Sequence, residues 1–159
     1  MPEAPKIREI PGGQFAKLAR SNRLPAGAVP AGKSLAGADL AKANLSGRDL
    51  TGVDFSEADC ANADFSNATL EGANFAQAKL GGALFDHSNL KRASFVNAEA
   101  RHASFFSCSM QGADLRGNFY GCLFQEPATA DAKFTGGKFN NCSFRHCAMH
   151  KTDFTHSAH

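Results

Sequence analysis

Between Leu35 and Leu115 an apolar or small residue falls at every fifth position. The centres are Leu35, Leu40, Leu45, Leu50, Phe55, Cys60, Phe65, Leu70, Phe75, Leu80, Phe85, Leu90, Phe95, Ala100, Phe105, Met110 and Leu115. Two residues before most centres stands a small residue, usually Ala, as at Ala43, Ala58, Ala63, Ala78 and Ala98. A period of five suits neither an α-helix, which repeats every 3.6 residues, nor a strand, which repeats every 2. A strict short period instead implies a solenoid, whose units bury their apolar sides only by stacking on one another. The residues between centres agree. Ser46-Gly47, Thr51-Gly52, Ser66-Asn67 and Glu71-Gly72 suit tight turns. Asp or Asn often precedes the centre, as at Asp39, Asn44, Asp49, Asp54, Asp59, Asp64, Asn74, Asn89 and Asp114.

The strings ADLAKANLSGRDL and ADFSNATLEGANF resemble the A(D/N)Lxx unit of the pentapeptide-repeat family. The resemblance covers about 120 of the 159 residues. It implies an all-β fold, a right-handed quadrilateral β-helix with four pentads per coil and one pentad per face. The centre and the small residue two before it then point inward, and the other three residues point outward.

The phase shifts once. After Leu115 the centres are Phe119, Phe124, Phe134, Phe139, Phe144, Met149 and Phe154, so one residue is lost between Leu115 and Phe119. Thr129 stands where a further centre is expected, within Glu126–Asp131. The reading is a lead-in over residues 1–30 and a β-helix over 31–159, irregular at 116–131. With Thr129 included there are 17 centres before the shift and 8 after it, or roughly six coils. At the ~4.8 Å spacing of paired strands the rod is about 30 Å long. In the four-face arrangement Phe55, Phe75 and Phe95 share one face, and Phe65, Phe85 and Phe105 share the opposite one. The remaining faces receive Cys60, Leu80, Ala100 and Leu70, Leu90, Met110. Twelve of the 14 Phe are centres, so the aromatic content is core material.

Residues 1–30 contain Pro2, Pro5 and Pro11-Gly12-Gly13, which suit an irregular start. Gln14–Arg23 is compatible with a short helix bearing Phe15, Leu18 and Ala19 on one side. With Leu24 and Val29 it is expected to cover the open end of the first coil. No apolar run is long enough for a signal peptide or a membrane span. Net charge is +2, which favours neither nucleic acid nor membrane surface as a direct partner. Five Cys, an odd number, argue against a complete disulfide framework and for a cytoplasmic protein with reduced thiols.

Candidate chemistry is sparse. Cys60 is a centre, and Cys108, Cys122, Cys142 and Cys147 occupy small-residue sites, so all five are expected to point inward as small hydrophobes. His146, His150, His156 and His159 crowd the end. The outward direction of His146 and His150 separates them from the cysteines, and no metal site is expected. Gly27–Ser34 matches the phosphate-loop pattern GxxxxGK(S/T). That pattern requires a preceding buried strand and a following helix, whereas here the five-residue repeat follows at once. No cofactor, catalytic group or enzymatic activity is read from the chain. Arg48 occupies a small-residue site, and its guanidinium is expected to escape near the cap, because an unpaired buried charge is very costly.

Function is therefore expected on the outer surface. Leu84, Phe106, Leu123, Tyr120 and Val96 are apolar residues at outward positions and form a candidate partner surface. Leu84, Phe106 and Leu123 belong to successive levels of one face. Asp49, Asp54, Glu57, Asp59, Asp64 and Glu71 form a candidate acidic face without an intervening base. The first reading is a non-catalytic module presenting flat faces to a protein partner. The second follows from the resemblance: some family members mimic DNA and regulate or protect a bacterial type II topoisomerase (gyrase). Such mimicry wants a long acidic face, whereas residues 31–125 carry ten acids and eight bases. The resemblance also suggests a homodimer through the C-terminal coil, where no cap is evident after Phe154.

Overall fold

A computed structural model of the chain describes residues 8–129 and 132–147. The repeat forms the expected right-handed quadrilateral β-helix. Its pairing is parallel at a spacing of 20 residues, from Ser34↔Asp54 and Asp39↔Asp59 through Ser94↔Asp114. Four pentads thus make one coil. Each pentad contains one tight turn, such as that closed by the Ala58 N–H on the Phe55 carbonyl at 3.1 Å. The third residue of that turn, Glu57, has φ 59°, and Asn62 and Asn67 both have φ 57° at equivalent places. A turn with positive φ there favours Gly and Asn, the residue types the sequence supplies at many of these sites.

The interior is filled by two opposed columns of rings. Phe55, Phe75 and Phe95 stack at centroid separations of 4.8 and 5.1 Å. Phe65, Phe85 and Phe105 stack at 5.0 Å between each pair. Across the coil the two columns meet edge to face, at 5.4 Å between Phe75 and Phe85. This is the preferred geometry for aromatic pairs. The other two faces hold the smaller centres, so the square interior is filled without overpacking.

The register changes in one place. Pairing moves from 20 residues to 19 at Glu99↔Asn118, then returns to 20 at Asn118↔Lys138. The missing residue shortens the corner after Leu115, where the Gly117 N–H reaches the Leu115 carbonyl at 2.8 Å. A Cβ on Gly117 would lie 2.7 Å from the Phe95 carbonyl and 2.9 Å from that of Ala98. Only glycine fits this corner. Of the stretch 116–131, the described part beyond the corner keeps the helical pairing. Ala128 pairs with Ser109, and Pro127 and Thr129 are buried.

The lead-in forms β1 (Arg8–Ile10), α1 (Gly12–Arg20) and β2 (Ala28–Pro30). β1 and β2 pair in parallel. The helix starts two residues before the expected Gln14, because the Pro11 carbonyl accepts the Phe15 N–H at 2.8 Å. It ends three residues before Arg23, where Asn22 turns to φ 55° and the Arg23 N–H closes on the Leu18 carbonyl. Phe15, Ala16 and Ala19 are buried and Leu18 is half-buried. The later strands are β3 (Glu99–Arg101), β4 (Asn118–Tyr120), β5 (Leu123–Gln125), β6 (Lys138–Asn140) and β7 (Ser143–Arg145). The C-terminal coil proposed from Phe154, and with it His150, His156 and His159, lies outside the described residues.

Candidate functional site

The site must be built from outward residues, because the interior is closed. Cys60, Cys108 and Cys122 are buried, whereas Cys142 and Cys147 are only half-buried. Cys142 and Cys147 still pack against the core, so their inward direction agrees with the expectation while their burial is incomplete. They stand in the final described coil. Burial pushes the Cys60 thiol up, and that of Cys108 up to about 12. Cys142 behaves oppositely. The neighbouring Cys122 thiol holds it down to about 7. Cys122 is pushed up by the same contact and by burial. Among the described residues no group of three or more His, Cys, Asp or Glu is placed to hold a metal.

The phosphate-loop match also lacks the required context. Ala28–Pro30 is a strand, Ala31–Lys33 is a single 3₁₀ turn, and the first coil follows. Lys33 Nζ donates to the Thr51 carbonyl at 3.1 Å. Arg48 does leave the interior near the cap, and its partners are backbone. Its guanidinium donates to the Pro25 carbonyl at 2.6 Å and the Leu24 carbonyl at 3.0 Å. It lies beside a notch of about 630 Å³ lined also by Gly27, Ala28, Ser46 and Asp49.

The six acids do not line one face. Asp54 lies in the column between Ser34 and Asn74, Asp59 in that between Asp39 and Lys79, and Asp64 in that between Asn44 and Leu84. Asp49 pairs with Thr69 in a fourth column. Consecutive pentads occupy consecutive faces, so neighbours in sequence diverge in space, and the acids ring the shaft. Most also serve the fold. Oδ1 of Asp49, Asp54, Asp59 and Asp64 accepts the N–H two residues on, at 2.9–3.1 Å. Asp39, Asn44, Asn74, Asn89 and Asp114 do the same. The Thr51 hydroxyl also donates to Asp49 and holds its carboxyl below the usual range. Glu57 is exposed, and Glu71 pairs with Arg92 at 3.4 Å.

The apolar residues divide among three faces. Leu84 and Leu123 share one column, with Ser104 between them. Phe106 stands on the same face at the Ser104 level and packs its ring edge-on against His87 at 5.1 Å. Asp86 crosses between these columns, accepting the Ser104 hydroxyl at 2.5 Å and the Phe106 N–H at 3.1 Å. It supplies from the neighbouring coil the acceptor that Ser104 lacks. The sequence signal for this is Ser in place of Asp or Asn before the centre Phe105. Leu84 is 41% exposed, whereas Phe106 and Leu123 are half-buried. Tyr120 is 45% exposed on the next face, against His102 at 5.8 Å. Val96 is half-buried on a third face, where its carbonyl accepts the Gln77 N–H.

Among the described residues no helix is long and apolar enough to cross a membrane. The family profile described as Pentapeptide repeats matches eight copies, over residues 34–72, 68–105, 83–117 and 130–158. No curated protein matches the chain. Among solved structures, the chain is similar to a pentapeptide repeat protein from the Arabidopsis thaliana thylakoid lumen. That match has 31% identity, 69% coverage of this chain, 67% of the other, and TM-score 0.39. It is also similar to QnrB1, a plasmid-mediated fluoroquinolone resistance protein, at 18% identity, with 78% and 87% coverage and TM-score 0.40. A third is HetL of the cyanobacterium Nostoc, involved in heterocyst differentiation regulation, at 22% identity, with 75% and 67% coverage and TM-score 0.31. With its repeat, its four-sided coil and its eight matched copies, the chain belongs to the pentapeptide-repeat family.

Proposed function

We propose that the protein is a non-catalytic interaction module that presents flat β-helix faces to a protein partner. The observation that carries this reading is Leu84, which is 41% exposed on the face shared with Phe106 and Leu123. An exposed large apolar side chain beside two partly exposed ones on a rigid sheet face is what a protein partner covers. The fold supports the reading in a second way. It uses most of its aromatic rings as internal packing and leaves the outer side chains that make no turn hydrogen bond, Leu84 and Phe106 among them, free to vary. The test is capture with wild-type protein and with the triple variant L84S/F106S/L123S. The wild type retains a stoichiometric protein partner, and the variant loses it while its melting temperature stays within a few degrees. Retention of the same partner by the variant would reject this face.

A DNA-mimicking regulator of a type II topoisomerase is the second reading. It draws on the acids from Asp49 to Glu71, but their placement around the shaft and their use in turn hydrogen bonds weaken it. A supercoiling assay separates the two. The interaction-module reading expects no change in topoisomerase activity at micromolar protein.

A further inference from the structure

The face carrying Leu40, Cys60, Leu80, Ala100, Phe119 and Phe139 has an axial order of charges that the turn hydrogen bonds explain only at Asp39 and Asp59. The column before these centres runs Asp39, Asp59, Lys79, Glu99, Asn118, Lys138. Lys79 and Glu99 are register neighbours, yet no ion pair joins them among the described residues. Lys138 likewise has no ion-pair partner among those residues. Asp39, although paired with Arg20, keeps 59% of its side chain exposed. The column after the centres runs Ala41, Ala61, Gly81, Arg101, Tyr120, Asn140. Its first half carries only Ala and Gly, whereas its second half carries larger side chains around a notch of about 310 Å³ lined by Glu99, Arg101, Tyr120 and Lys138.

We propose that this face binds a second copy of the chain, with the two β-helices side by side and antiparallel. A two-fold axis lying in the contact plane along the strands, between the Leu80 and Ala100 levels, keeps each column facing itself and reverses its order. Lys79 then meets Glu99 of the second copy, and Glu99 meets its Lys79. Asp39 meets Lys138, and Asp59 meets Asn118. No like charges oppose each other in this column. In the other column the half with small residues receives the half with large ones: Ala61 faces Tyr120, Gly81 faces Arg101, and Ala41 faces Asn140. The charge order is thus self-complementary under one operation, and small residues face large ones.

The same operation fails on neighbouring faces. On the face of Phe55, Phe75 and Phe95 it sets Asp54 against Asp114. On the face of Phe65, Phe85 and Phe105 it sets Asp64 against Leu123, leaving a carboxylate against an apolar group. The preferred face is also adjacent to the one carrying Leu84, so the homodimer leaves that surface open on both copies.

Six coil levels at ~4.8 Å give a contact about 24 Å long between its end rows. Such a strip is smaller than the roughly 800 Å² per partner of a standard interface. The dimer is therefore weak, concentration-dependent and sensitive to salt. Sedimentation equilibrium over a wide concentration range tests it. The mass of the wild type rises toward twice the monomer, and K79E and E99K each weaken the association by about tenfold or more through two symmetric like-charge contacts. The double variant K79E/E99K, with the wild-type net charge, restores it. The chain has one Tyr and no Trp, so quenching of Tyr120 fluorescence by acrylamide falls as the dimer forms. A mass that stays monomeric overturns the proposal. So does a dimer indifferent to both single variants, which would place the contact elsewhere, as in end-to-end packing. Both substituted positions are exposed, and circular dichroism verifies that the variants fold.

Discussion

At the scale of single residues, one side-chain oxygen recurs as a structural part. Asp54 Oδ1 accepts the Ser56 N–H at 2.9 Å and the Asn74 side-chain amide at 3.0 Å. Asp54→Ala removes both and is expected to lower stability by about 1 kcal/mol in denaturant melts. Asp64→Asn retains the acceptor, as Asn44 and Asn74 already do, and is expected to stay within about 0.5 kcal/mol of wild type. The thiols give a prediction in pH. Cys142 is half-buried and held down to about 7 by Cys122. The reactive form is the thiolate, so alkylation of Cys142 rises through about pH 7 and levels off above it. Cys122→Ala removes this neighbour, moves that rise to higher pH and slows labelling at neutrality. Mass spectrometry of the labelled peptides reads both effects, with Cys60 and Cys108 remaining unmodified in the native state.

At the scale of elements, the junction between α1 and the first coil depends on Arg48. An arginine in an inward small-residue site is tolerated because it reaches two backbone carbonyls that the irregular Leu24-Pro25 segment leaves without strand partners. The Asn44 N–H adds a contact to the Ala19 carbonyl at 3.1 Å, and Arg20 pairs with Asp39. Arg48→Met keeps the apolar stem but removes the guanidinium donors from the Leu24 and Pro25 carbonyls, leaving Pro25 only the Ala28 N–H at 3.2 Å. A loss of about 1–3 kcal/mol is expected. Hydrogen exchange should locate the effect, with faster exchange in α1 and unchanged protection at Phe75 and Phe85. Unchanged exchange in α1 would mean that the helix is held by its other contacts, the burial of Phe15, Ala16 and Ala19 and the pairs Asn44–Ala19 and Arg20–Asp39.

At the scale of the whole molecule, stability resides in the continuity of the ring columns. Phe85 stacks on Phe65 and Phe105 and meets Phe75 and Phe95 edge-on, with no exposed surface. Phe85→Ala opens a void in the middle of the stack that four rigid rings cannot collapse into, and is expected to cost about 3–5 kcal/mol. Because each coil is stabilised by the coils beside it, the defect should broaden the melt or divide it, whereas Phe144→Ala, at a half-buried ring of the final described coil, should cost less. Equilibrium melts of the two variants compare the centre with that coil directly.

The division between inside and outside was legible in the sequence because it is a one-dimensional property. Every fifth residue must face the same way, so Phe85, Cys60 and Leu90 were assignable to the core from spacing alone. The shift at Leu115–Phe119 was equally visible as a missing residue. The resemblance already implied four pentads to a coil and put Leu84, Phe106 and Leu123 on successive levels of one face; tertiary structure decided how the other outward residues are grouped. Spatial partners on a face lie 20 residues apart, or 19 across the short corner at Gly117, while sequence neighbours turn onto different faces. Hence the acids from Asp49 to Glu71, contiguous in the chain, ring the shaft, whereas Lys79, Glu99 and Lys138, distant in the chain, form one column. The carbonyl partners of Arg48 and the partial exposure of Cys142 and Cys147 also required coordinates. The sequence determines the direction of each side chain through a local period, and only the closed coil brings distant directions together.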